Sequence, residues 1–130
     1  MIYLCSPYSH PDPSVREARF EAACLATAEL VRAGHVVFSP IVHGHPLVRF
    51  DLPIEWEYWE RIDREHLRRC DEVVVLMLDG WRESRGVQAE IDLAIEMDLP
   101  IRYLPPSMIS NSSGGDASMS VRPLSQETST

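Results

Sequence analysis

Apolar residues along this chain gather into short β-branched runs, separated by stretches in which they recur every three or four positions. Ile2–Cys5, His35–Phe38, Glu72–Leu78 and Ile101–Leu104 read as strands. The third run is almost continuously apolar, the pattern of a strand covered on both faces of a parallel sheet. Between the strands lie helical periods. Asp12 as N-cap and Pro13 as first helical residue open a helix that reaches about Ala33, where Gly34 stops it. A second helix spans Glu55–Arg69, and a third follows the Asp79-Gly80-Trp81 break with Ser84 as its cap. Ser39–Pro53 carries Pro40, Gly44, Pro46 and Pro53 and reads as a long irregular loop, a length that usually serves a ligand. From Pro105 to Thr130, Ser, Pro, Gly and Asn predominate. This predicts a tail without its own fold beside a domain of residues 1–104.

Alternating strands and helices predict an α/β domain, with right-handed crossovers and helices on both faces of a parallel sheet. The expected architecture is a flavodoxin-like three-layer sandwich whose sheet has four strands, or five, in the order 2-1-3-4. In that order the chain reverses direction between the first and third strands, and ligands sit outside their carboxyl ends. Ser6–Ser9, Asp79–Ser84 and the start of the third helix would line that crevice.

Each helix carries a charged residue on its inward arc. On the third, Val87, Ile91, Ala94, Ile95 and Met97 share one side, and Gln88, Asp92 and Glu96 the other. Glu90 falls inside the apolar arc. A bare buried carboxylate costs several kcal/mol, so it needs a partner, a raised pKa or a cavity. Glu90 is therefore the leading functional candidate. Asp63 lies similarly among Trp56, Trp59, Ile62, His66, Leu67 and Cys70; an ion pair with a nearby Arg is its plainer explanation, and His66 reads as packed core. Arg16 falls in an arc of Phe20, Ala23, Cys24, Thr27, Leu30 and Val31. It could bind an anionic substrate group, pair with Glu90 or Asp79, or extend its head to solvent.

Two inward carboxylates suggest a nucleophile and a proton donor, the pair that cleaves glycosidic bonds. Ser84 and Gly86 at a helix start suit a phosphate or sugar hydroxyl, although capping alone explains the serine. His43-Gly44-His45 has a metal-compatible spacing but no third ligand, and reads as loop histidines at a ligand mouth.

Composition narrows the field. All twelve Lys or Arg positions are Arg, which removes Schiff-base chemistry, a phosphate-binding P-loop lysine and a receiver-domain lysine. A net charge of −8 argues against a nucleic-acid polymer or an anionic membrane as partner. Cys5, Cys24 and Cys70 are odd in number and widely spaced, as suits a reducing cytoplasm. No signal-peptide pattern or bilayer-length apolar run is visible. No cofactor is called for.

Tyr3 within IYLCSPYS, Asp63 ahead of the third strand, Asp79-Gly80-Trp81, and Ser84-x-Gly86-x-x-x-Glu90-x-x-x-Ala94 followed by Leu99-Pro100 together resemble the nucleoside 2-deoxyribosyltransferase superfamily, in particular its small bacterial and phage relatives. The resemblance covers Met1 to Leu104. It implies a flavodoxin-like fold and cleavage of the N-glycosidic bond of deoxynucleosides or their 5′-monophosphates. Glu90 would attack the anomeric carbon, Asp63 would handle protons at the departing base, and Tyr3 would orient Glu90. The remaining substrate-binding candidates are Ser6, Tyr8, Arg16, Asp79, Gly80, Trp81, Ser84, Gly86 and His43. Ser84 stands where nucleoside transferases often carry an acid, which resembles the branch hydrolysing monophosphates; that branch's Arg-rich loop has no counterpart in Ser6–Pro13. The resemblance also implies a homo-oligomer, with Tyr58 suited to the contact. A noncatalytic nucleotide-binding module on the same fold is the rival expectation.

Overall fold

The computed structural model describes residues 1–109. Four strands, β1 (Ile2–Cys5), β2 (Val37–Phe38), β3 (Glu72–Leu76) and β4 (Ile101–Leu104), form one sheet in the order β2-β1-β3-β4. All three pairings are parallel, with Ile2 opposite both Val37 and Glu72, and Val73 opposite Ile101. Four helices connect and flank the strands: α1 (Pro13–Arg32), α2 (Pro40–Val48), α3 (Trp56–Arg68) and α4 (Arg85–Glu96). The fold is thus α/β with a flavodoxin-like strand order, as the alternation predicts.

Side-chain alternation divides the core between the two faces. Tyr3 and Cys5 of β1 and Val73 and Val75 of β3 face α3 and α4, where Leu67, Val87, Ile91 and Ala94 meet them. Ile2, Leu4, Val74 and Leu76 point the other way, onto Ala26 and Leu30 of α1. Central strands covered on both sides explain why their runs are uniformly apolar.

Three helices start on the same device, a side-chain oxygen that takes up an otherwise unpaired amide of the first turn. Asp12 accepts from Ser14 N at 2.9 Å, Ser39 from Val42 N at 3.1 Å and Ser84 from Val87 N at 3.2 Å. Gly34, at φ +99°, ends α1 in the left-handed region that suits glycine.

Several expectations are corrected. Ser39–Pro53 is not irregular throughout, because Ser39 caps and Pro40 opens α2, which accommodates Gly44 and carries Pro46 near its end. The strand expected over His35–Phe38 shortens to Val37–Phe38, and the third stops at Leu76, where Leu78 N turns back to Leu76 O at 2.9 Å. The inward face of α1 is Ala23, Ala26, Glu29 and Leu30, whereas Val31 is exposed. In α4, Leu93 is buried and Ile95 exposed. The Ser/Pro/Gly-rich tail begins with a short 3₁₀ turn, Pro106–Met108, that sets Met108 and Ile109 against the α1 face of the core. Residues 110–130 of that tail lie outside the described residues. Among the described residues no helix is long and apolar enough to cross a membrane.

Candidate functional site

Because β1 and β3 are adjacent but their connections leave in opposite directions, their carboxyl ends face a gap that no crossover fills. A cavity of about 250 Å³ lies there. That is room for roughly eight water molecules. Ser6 and Tyr8 approach it from the end of β1, Pro40, Ile41, Gly44, His45 and Val48 from α2, Trp56, Trp59 and Asp63 from α3, and Ser84, Gly86 and Glu90 from α4. Ile41, Val48, Ile54, Trp56 and Trp59 give it an apolar wall. Three exposed carboxylates, Glu55, Glu57 and Glu83, also line it, together with Arg85, which is ion-paired to Glu57.

Glu90 and Asp63 are 4% and 6% exposed, and both line this cavity. The expected conflict between charge and burial is therefore real and is relieved by a hollow. Among the described residues neither forms an ion pair, so the plainer reading of Asp63 does not apply. Burial, then the neighbouring Asp63 charge, pushes Glu90 up to about 8. Two donors oppose that rise: the Tyr3 hydroxyl, which donates to Glu90 Oε2 at 2.5 Å, and the Cys5 thiol. Burial also raises Asp63, to about 7. Like charges in one low-dielectric pocket cannot both ionise cheaply, so near neutral pH the pair retains a proton. Tyr3 is fully buried, and burial reinforced by Glu90 lifts its pKa well above the usual phenol range. It therefore remains a proton donor at any working pH.

A second chain of hydrogen bonds occupies the opposite wall. The Tyr8 hydroxyl lies 2.6 Å from His45 Nδ1, and His45 Nε2 lies 2.8 Å from Glu17 Oε1 on α1. Phe20 stacks obliquely on the imidazole, with ring centroids 4.4 Å apart. Ser6 Oγ is buried in the lining and has no hydrogen-bond partner among the described residues. A buried hydroxyl left open toward a cavity is a place for a ligand.

Of the residues expected at the site, Ser6, Tyr8, Asp63, Ser84, Gly86 and Glu90 line the cavity, and Tyr3 supports Glu90 from behind. Arg16 does not line it: its Nη1 donates to His10 O at 2.5 Å and to Pro11 O at 3.4 Å, and its guanidinium acts on the cavity only through Tyr8, whose burial-driven rise in pKa it opposes. His43 is exposed and off the lining, its ring 5.9 Å from that of Phe38 and 6.3 Å from that of His66, and His45 lines the cavity instead. Asp79, Gly80 and Trp81 lie off the lining, since β3 ends early and Trp81 packs against Tyr103, centroids 5.7 Å apart. His66 is half-buried and stacked on Phe38 at 3.8 Å, a packing role as expected.

His45 stands at the cavity as expected of a histidine at a ligand mouth, though on a helix, and three contributors were not anticipated: Cys5, the wall of α2 and Arg19. Cys5 shares a strand face with Tyr3, two residues on, and that spacing was the available clue. His45 and the wall of α2 depend on a helix start that Ser39-Pro40 signalled. Arg19, one turn beyond Arg16, donates to Ser9 O at 3.0 Å and Asp79 O at 3.2 Å, joining the loops after β1 and β3. Among the described residues no group of three His, Cys, Asp or Glu is placed to hold a metal ion.

Residues 1–104 match the model of a family described as a domain of unknown function, DUF1937. No curated protein matches the chain.

Proposed function

We propose that this chain, which belongs to the DUF1937 family, cleaves the N-glycosidic bond of deoxynucleosides or their 5′-monophosphates through a covalent glycosyl-Glu90 intermediate. The observation that carries this reading is the pairing of Glu90 and Asp63 in one cavity, with Tyr3 and Cys5 behind the nucleophile. The resemblance of the motifs from Tyr3 to Ala94 to the nucleoside 2-deoxyribosyltransferase superfamily supports it.

The reaction is a double displacement. The productive form of the pair carries its single proton on Asp63; at rest Glu90, the more strongly raised of the two, holds it, and the Tyr3 and Cys5 donors narrow that gap by stabilising the carboxylate at Glu90. Glu90 forms a bond to C1′ as the C1′–N bond breaks, and the leaving base takes both the bonding electrons and the Asp63 proton. Asp63, now ionised, accepts a proton from water as the water oxygen attacks C1′. The ester opens, Glu90 returns as a carboxylate and the free sugar departs. A second base in place of water gives base exchange. The apolar wall with Trp56 and Trp59 would hold the base, and Ser6 a sugar hydroxyl. The substrate is a small molecule. The protein would work as a homo-oligomer in the cytoplasm, a setting supported by exposed Tyr58 and Phe50 and by three unpaired thiols.

The test incubates deoxynucleosides and their monophosphates with the protein and measures free base by chromatography. Release is expected from the wild type and not from Glu90→Gln, with a sugar adduct on Glu90 in the intact mass of trapped enzyme. Full activity in Glu90→Gln would remove Glu90 as nucleophile. One observation favours a noncatalytic binding module instead: a Glu90 that holds its proton to about 8 can hydrogen-bond a ligand as a neutral acid. That reading predicts tight ligand binding with no base release, retained in Glu90→Gln.

A further inference from the structure

The Tyr8–His45–Glu17 chain has a fixed direction, and this bears on what the cavity selects. Glu17 is an exposed carboxylate and can only accept, so with the imidazole neutral the proton must sit on His45 Nε2. That leaves Nδ1 as an acceptor, and the Tyr8 hydroxyl, 2.6 Å away, must donate to it. Tyr8 then has only an oxygen lone pair to offer a ligand, the Arg16 guanidinium lying beside the same oxygen. It is half-buried in the cavity wall, with its hydroxyl proton committed.

The rest of the lining leans the same way. Trp59 Nε1 is spent on Pro53 O at 2.7 Å, and the Arg85 guanidinium is held at the exposed rim by its Nε bond to Glu57. Ser6 offers one hydroxyl proton and Asp63 the one destined for the leaving base, while Glu55, Glu57 and Glu83 offer acceptors. The donors of the lining thus gather at the start of α4 and at Asp63, and the side of the cavity held by Tyr8 presents an acceptor.

Resting on the nucleoside reading above, we propose that Tyr8 is a specificity-determining residue whose hydroxyl, oriented by His45 and Glu17, selects nucleosides with an amino-substituted base over their oxo counterparts. Glu17 and His45 are positioning residues in this scheme and touch no reacting atom. A buried acceptor facing a carbonyl oxygen leaves both groups unpaired, whereas an exocyclic amine satisfies it.

The experiment compares kcat/KM for base release in two matched pairs, deoxycytidine with deoxyuridine and deoxyadenosine with deoxyinosine. The wild type should favour the amino member of at least one pair by about tenfold or more. Tyr8→Phe should bring that ratio close to one. Glu17→Gln is the more diagnostic change, because the residue is exposed and the folded chain should tolerate it. A glutamine amide can donate to Nε2, which permits the other imidazole tautomer and lets Tyr8 turn its proton into the cavity. The amino preference should therefore fall several-fold in Glu17→Gln, although that side chain is remote from the ligand. Base release with no amino preference in either pair, or a ratio unchanged by both substitutions, would overturn the inference while leaving the glycosidase reading intact. A wild type that neither cleaves nor, by calorimetry, binds any of the four nucleosides would overturn both.

Discussion

Glu90→Gln should make the protein more stable, and only at high pH. The substitution keeps the shape of the side chain and its acceptor for the Tyr3 hydroxyl but removes the charge that the fold resists. An ordinary glutamate near 4.5 is here raised to about 8, mainly by burial. At about 1.4 kcal/mol per pH unit, holding the ionised form in place costs the native state about 5 kcal/mol. Water entering the cavity and relaxation around the carboxylate reduce this, so about 2–5 kcal/mol is expected. The sign follows from linkage. Below about 4.5 the group is neutral in both states and contributes no difference. Between about 4.5 and 8 the unfolded chain releases the proton while the native chain retains it, so the wild type loses stability with every pH unit. Above about 8 the deficit is complete. Thermal and urea unfolding of wild type and Glu90→Gln at pH 5, 7 and 9 would measure it. The variants should melt within a few degrees of each other at pH 5, with Glu90→Gln ahead by at least about 8 °C at pH 9. Asp92→Asn, exposed on the same helix, should show no such pH-dependent gain. A Glu90→Gln protein less stable than wild type at pH 9, or equally stabilised at pH 5 and 9, would refute the argument.

Activity should follow the protonation of the same pair. With the carboxyls at about 7 and about 8, kcat/KM for base release should be bell-shaped with its maximum between those values, and Asp63→Asn should remove one limb. Tyr3→Phe removes a donor that lowers Glu90, so its profile should move to higher pH and its maximum fall by about 10²-fold. Ser6→Ala should raise KM by roughly fivefold while the melting temperature holds or rises slightly, because an unpaired buried hydroxyl is removed; a KM unchanged from wild type would deny Ser6 a ligand contact. The carboxylates Glu55, Glu57 and Glu83 in the lining should disfavour a dianion, so nucleosides should outperform their 5′-monophosphates by about tenfold or more in competition assays.

The alternation of strands and helices and the two buried carboxylates were legible because both follow from periodicity, whereas the strand order came from the flavodoxin-like expectation that the resemblance implied. A glutamate or aspartate inside a helical apolar arc is visible on a wheel without any tertiary knowledge, and Glu90 and Asp63 are such cases. What escaped depended on contacts between elements. Gly44 and Pro46 argue locally against a helix, yet the Ser39 cap and the packing of Gly44 beneath Trp59 hold α2 together, which brings His45 to the cavity and His43 toward Phe38 and His66. Arg16 and Arg19 are one turn apart on the same side of α1, and only the course of the loops decides which carbonyls each one meets. Asp79 to Trp81 missed the cavity because β3 ends two residues earlier than its apolar run, so the turn swings toward Tyr103 on β4. Val31 and Ile95 lie on arcs that continue past the last turn with a sheet beneath it.

Arg19 reaches across the gap between the two halves of the sheet like a strut, with one end on the segment after β1 and the other on the Asp79–Gly80 turn. Position 80 has a φ of +88°, and any Cβ built there would come within 2.7 Å of that guanidinium. The absence of a side chain at this one residue is thus what lets the brace close, and a single methyl group at position 80 would unseat it. A change at position 80 would therefore loosen the two loops that flank the cavity mouth from a place that touches neither buried carboxylate.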